Sequence, residues 1–200
     1  MKKIDLQDIR GQEHCKRAIE VACVGDHGIV LIGPHKSGKT ALIKRIPTIA
    51  STPIFAAEIL PCPCGNFTDP KKDCYCTPRQ IQEHLIAAVS GEILRKADMH
   101  VEVPKLNIDH ISDKRRGETS ETIKARIEKA RKNSKPYSLD KEANELFKLD
   151  VLELGISPAA YDKIAYVAAT IAQMDGKPII EAHHLSEAIS YRSLDRNLWG

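Results

Sequence analysis

The sequence predicts an α/β protein, a core of about three parallel strands followed by a helical region. Three observations predict it. Gly33-Pro34-His35-Lys36-Ser37-Gly38-Lys39-Thr40 has the spacing GxxxxGK[ST], with an apolar run before it and a helical pattern after it. Two more short runs read as strands, Ile54–Leu60 and Met99–Val103. After Ile111 the character changes, and four helical patterns follow.

The elements can be justified in order. From Gln12 to Val24, Cys15, Ala18, Ile19, Ala22 and Cys23 recur at helical spacing and predict a helix with one apolar face, stopped by Gly25. Gly28 to Gly33 is a short apolar run that suits a strand buried on both faces. Lys39 to Ile46 continues as a helix that Pro47 should end. Ile54–Leu60 predicts a second buried strand, and residues 61–77 a cysteine-rich loop. Pro78 suits the first turn of a helix reaching about Val89. Met99–Val103 alternates, predicting a third strand closed by Pro104. The predicted helices beyond are Glu118–Asn133, Lys141–Leu154, Pro158–Met174 and Glu181–Tyr191. Residues 1–106 therefore form the α/β part, the polar stretch 107–117 a linker, and 118–200 the helical part.

The GxxxxGK[ST] spacing has a physical basis. Its glycines let the backbone curl until successive N–H groups, here from Lys36 to Thr40, point inward as an anion nest. The dipole of the following helix adds to the same spot. Lys39 reaches the outer phosphates of a nucleoside triphosphate, and the Thr40 hydroxyl is the Mg²⁺ ligand. The expected ligand is Mg·ATP, cradled by Gly33, Pro34, His35, Lys36, Ser37, Gly38, Lys39 and Thr40. The side chains of His35 and Lys36 hold variable positions and should face solvent.

Four of the six cysteines form two CxC pairs, Cys62/Cys64 and Cys74/Cys76. Four thiolates on one short loop suit a closed tetrahedral Zn²⁺ site of structural type. Free thiols or a disulfide are the alternatives. Cys15 and Cys23 read as small core residues.

The formal charge of +3 is too mild to imply a nucleic-acid partner by itself. The basic stretch Lys114 to Lys132 is interleaved with Glu118, Glu121 and Glu128, as on a solvated helix face. No run approaches the roughly 20 apolar residues of a membrane span, and no secretory segment is visible after Met1. The expectation is a cytoplasmic protein with reduced thiols and no membrane partner.

Beyond these readings the sequence resembles the magnesium-chelatase-like AAA+ ATPases, in particular their ComM branch. The resemblance rests on Asp5–Gln12, the P-loop, Pro61-Cys62-Pro63-Cys64-Gly65 with Asp69-Pro70 and Cys74–Pro78, and His100–Pro104. It continues through Gly117–Ser120, Ala160–Ile164, Ala168–Ala172 and Tyr191–Arg196. It implies a truncated AAA+ core with a C-terminal helical lid whose helix Pro158–Met174 closes over the nucleotide. It also implies that Ile9 and Gly11 lie near the adenine. The branch's N-terminal protease-like domain has no counterpart. Nor does the segment that carries its second and third strands and the Walker B acids, for only Pro47–Ile54 bridges the gap. Removing those strands from the order 5-1-4-3-2 leaves 5-1-4, which are neighbours. The sensor-1 asparagine falls at Leu60, the finger arginine at Lys96 within Ile93-Leu94-Arg95-Lys96, and the sensor-2 arginine at Ala159. Glu58 is the first candidate for a replacement acid, ahead of Glu102. The resemblance therefore implies ATP binding with impaired or absent hydrolysis, alone, in a homo-oligomer or with an intact AAA+ relative. The alternative is an active Mg-dependent ATPase acting on DNA in an oligomeric ring. A remnant without activity is a third reading.

Overall fold

The computed structural model describes residues 5–89, 92–106, 117–154 and 157–194. A 3₁₀ turn, Leu6–Asp8, opens the described chain. Then come α1 (Glu13–Gly25), β1 (Ile29–Ile32), α2 (Lys39–Ile43), α3 (Ile46–Ile49), β2 (Ala56–Ile59), α4 (Pro78–Val89), α5 (Glu92–Lys96) and β3 (Met99–Glu102). The C-terminal part is helical: α6 (Ser120–Ala130), α7 (Lys141–Leu154), α8 (Pro158–Met174) and α9 (Ala182–Ser190).

The sheet is parallel with order β2-β1-β3, the arrangement that the resemblance implies, with Met99–Val103, Ile29–Ile32 and Ile54–Leu60 as the family's strands 5, 1 and 4. Leu31 lies level with Glu58 on one side and Val101 on the other. β1 is fully buried, as its unbroken apolar run requires. The outer edge of β3 is partly covered by the chain's own end. The His100 N–H donates to the Tyr191 carbonyl at 2.6 Å, and the Ser193 N–H donates to the His100 carbonyl at 3.2 Å. β2 departs from expectation, being shorter than Ile54–Leu60 and only half-buried, with Glu58 exposed. A charged side chain on an edge strand also discourages edge-to-edge pairing.

Three other expectations need correction. Pro47 does not end the helix after the P-loop. The chain breaks at Lys44 and Arg45, and Pro47 sits in the first turn of α3, where a missing N–H costs nothing. α1, read from one apolar face, is buried nearly all round, Val21 and Val24 included, because α6 and α8 pack on it as well as β3 and α3. α5 has no counterpart in the sequence reading. The linker at 107–117 lies, Gly117 apart, outside the described residues.

One continuous hydrophobic cluster unites both parts of the chain. Ile19, Leu31 and Met99 join Ile127, Ile164 and Tyr191 in it. The helix starts follow local chemistry. Thr119 accepts the Thr122 N–H at 3.2 Å to cap α6. Ser157 accepts the Ala160 N–H at 3.3 Å to cap α8, whose first residue is Pro158.

Candidate functional site

β1 delivers the chain to Gly33, where a Cβ would sit 2.3 Å from the Val103 carbonyl oxygen, so only glycine fits against β3. The loop then turns through Lys36 (φ +62°) and Gly38 (φ +105°) into α2. Such left-handed steps curl the backbone around an anion position. The Lys39 ammonium folds back onto the Gly33 and Pro34 carbonyl oxygens at 2.6 and 2.8 Å. Burial lowers its pKa, and the nearby Glu58 charge opposes that shift. The Thr40 hydroxyl lies 2.8 Å from each oxygen of the Glu58 carboxylate on β2. A cleft of about 390 Å³ opens here, lined by residues 35–41 and by Glu58, Ile59 and Leu60. The donor set fits Mg·ATP: a curled backbone over a helix start, a lysine and a hydroxyl, all on one cleft.

Two neighbours brace the loop. The Gln12 amide donates to the Pro104 carbonyl at 2.6 Å and to the Ser37 carbonyl at 3.3 Å. Gln12 thereby fastens the opening segment to the loop, while Gly11 (φ +59°) leaves room for Leu106. Ile9 is half-buried and packs on the core, and the P-loop cleft is not lined by Ile9 or Gly11. On the other side the exposed His35 donates its backbone N–H to the Gly65 carbonyl at 3.2 Å. Its ring covers Gly65 so closely that a Cβ there would lie 2.3 Å away.

Gly65 belongs to the cysteine loop. The Cys62 sulfur is 3.4 Å from Cys64 and 3.7 Å from Cys74, and Cys64 to Cys74 is also 3.7 Å. All four sulfurs, Cys76 included, lie within 4.8 Å of one another, and all six cysteines of the chain are free thiols. Four thiolates at about 2.3 Å from one metal would be about 3.8 Å apart, so the set fits a tetrahedral ion. The Asn66 backbone holds the Cys64 thiol down at about 6, with smaller help from hydrogen bonds to Cys62, Cys76 and Cys74. The Phe67 N–H donates to the Cys62 sulfur at 3.3 Å. An ion pair at 2.7 Å between buried Asp69 and half-buried Lys105 ties the loop to the chain beyond β3. Burial pushes the Cys15 and Cys23 thiols up to about 12, as inert core residues should be.

A second cluster of metal-ligand type, Asp175, His183 and His184, escaped the sequence reading. His184 Nδ1 accepts the Glu181 N–H, so the neutral ring carries its proton on Nε2, facing Asp175 at 3.4 Å. That ring has no lone pair left for an ion, and the group reads as a helix cap.

Of the positions matched to other catalytic elements, Leu60 lines the cleft but brings no polar side chain to it, while Lys96 and Ala159 are not among its lining residues. The Lys96 backbone packs against Gly28, at the end of β1 opposite the P-loop, and its ammonium pairs with Glu92. The Arg95 side chain lies outside the described residues. Ala159 is exposed at the start of α8. α8 does not close over the cleft, because its buried residues Ile164, Val167, Ala168 and Ile171 are taken up by the core with α1.

The family model described as magnesium chelatase, subunit ChlI, matches residues 5–60 and 50–111. That of the same subunit's C-terminal part matches residues 132–192. The chain belongs to the magnesium chelatase family. It is 24% identical to the competence protein ComM of Haemophilus influenzae, over 98% of this chain and 61% of that protein. It is 32% identical to the uncharacterized protein YifB of Escherichia coli, over 82% of this chain and 36% of that protein. The chain thus spans between about a third and three fifths of the length of these relatives. The ComM comparison runs over 316 positions, more than the chain's 200 residues, so ComM carries internal residues with no counterpart here. The two pieces of the ChlI match overlap at residues 50–60, a stretch that shares residues 50–54 with the bridge Pro47–Ile54 of the sequence reading.

Proposed function

We propose that the chain is an ATP-binding member of the magnesium chelatase family whose hydrolysis is impaired or absent. The observation that carries the reading is the joint position of Lys39 and Thr40 on one cleft beneath a curled loop. Binding of phosphates needs only these parts. Hydrolysis needs more, since phosphoryl transfer is accelerated by positioning and by added positive charge, and an arginine finger alone contributes roughly 10³–10⁵ in rate. In this reading the α/β part holds the nucleotide, the helical part supports it, and the chain works in the cytoplasm, in a ring or beside an intact relative. The four-cysteine loop holds one structural Zn²⁺, a role supported by its sulfur spacing.

The test is phosphate release from Mg·ATP by the intact protein and by Lys39→Ala. The account expects both near background. Turnover at the pace of full-length family members, lost in the variant, would overturn it.

One observation favours a second reading, an active ATPase acting on DNA in a ring. Glu58 places a carboxylate beside Thr40, where hydrolysing P-loop proteins carry an acid. Against the DNA part, Arg126 is taken up by Glu20 and Glu118, and Arg131 by Asp26 and the Cys23 carbonyl. Stimulation of phosphate release by branched DNA would favour the second reading.

A further inference from the structure

Glu58 is out of character with its strand. Ala56, Ala57 and Ile59 are apolar and half-buried, whereas Glu58 is exposed. Parallel register sets it level with Leu31, two residues before Gly33, so it stands beside the start of the P-loop. Its carboxylate turns toward α2, with both oxygens 2.8 Å from the Thr40 hydroxyl. Among the described residues Glu58 forms no ion pair. The charge of Lys39 is felt at a distance, for that ammonium is held by the Gly33 and Pro34 carbonyls.

An unpaired carboxylate on the wall of a phosphate cleft is unfavourable on its own. Its charge repels the triphosphate that Lys39 and the backbone attract. A divalent cation reverses that sign. Mg²⁺ is held by one or two carboxylates together with phosphate oxygens and waters. The Thr40 hydroxyl can donate its single proton to Glu58 and still offer a lone pair to the ion. We propose that Glu58 and Thr40 together hold the divalent cation of a bound nucleoside triphosphate, Glu58 by its carboxylate and Thr40 by its hydroxyl. The proposal rests on the nucleotide reading above and adds to it a cation ligand on β2. It makes metal-free ATP a poor ligand and Mg·ATP a good one.

The experiment is calorimetric titration of ATP into the intact protein and Glu58→Gln, each in Mg²⁺ and again in EDTA. The amide keeps the shape of the side chain and removes its charge. The intact protein should bind far more tightly with Mg²⁺ than without. In Glu58→Gln the affinity for Mg·ATP should fall about 10- to 100-fold, the scale of losing a metal-site partner. Affinity in EDTA should stay level or rise, because a repulsive charge is gone. A variant that lost its fold would lose binding in both conditions. Circular dichroism identifies that case, and Glu58→Asp, which keeps the charge, then replaces it and should retain the preference for Mg²⁺. The same ratio of Mg²⁺ to EDTA affinity in intact protein and Glu58→Gln overturns the proposal and leaves the P-loop reading standing. If the intact protein binds ATP in neither condition, the P-loop reading falls, and the proposal falls with it.

Discussion

At the residue scale, stability should depend on three buried histidines. Burial lowers the pKa of His27, His100 and His184, that of His100 from 6.5 to about 3, with Arg192 and Lys163 adding to the His100 shift. The unfolded chain therefore takes up protons first as pH falls. Stability is fully present above about pH 6.5 and is lost as pH drops below it, for His100 down to about pH 3, by at most about 1.4 kcal/mol per pH unit for each histidine. Urea midpoints at about pH 7.5 and pH 5 check this, and an unchanged midpoint would contradict it. Arg126 offers a second test. It donates to both oxygens of Glu20, which is only 4% exposed, and to both of Glu118. Arg126→Ala leaves Glu20 buried without its cation and should cost about 1–3 kcal/mol in a urea titration. A cost below half of that would show that the pair is idle. The sequence marks Arg126 as one basic residue among many on a helix face, because its acidic partner on α1 is 106 residues away.

At the scale of elements, the cysteine loop and the P-loop lean on each other. His35 seals Gly65, and the Gly65 carbonyl holds the His35 N–H. If the four thiols hold Zn²⁺, the ion fixes Gly65 and through it the entrance of the P-loop. Elemental analysis should find about one zinc per chain, and Cys74→Ser should abolish it. Stripping the metal with a chelator should lower the thermal midpoint and weaken ATP binding together. Retained zinc in Cys74→Ser would contradict the assignment. The sequence supplied the cysteines and their CxC spacing. It did not supply the contact with His35, which joins two loops that lie 30 residues apart and depends on the order of β1 and β2 in the sheet. The bounds of α4, α7 and α8 were legible from helical periodicity, with Pro78 and Pro158 marking the first turns of α4 and α8. The break at Lys44 and Arg45 was not, since Pro47 can end one helix or begin another.

At the scale of the whole molecule, three parallel strands with a buried centre carry the phosphate loop, and the helical part completes their core. The strand order was legible only by way of the family's order, since apolar runs of four residues do not say which is central. The near-complete burial of α1 could not be read from its own periodicity, which marks one face. The second face is covered by α6 and α8, which lie more than 90 residues further on. That shared core also explains why α8 stays off the cleft. The central claim is that this core still presents a working phosphate site. Its most direct test is calorimetric titration of Mg·ATP into the intact protein and Lys39→Ala. Binding by the intact protein, weakened about 10- to 100-fold in the variant by loss of one charged hydrogen-bonding group, is the predicted result. Equal affinity in the two proteins, or no binding by either, would contradict it.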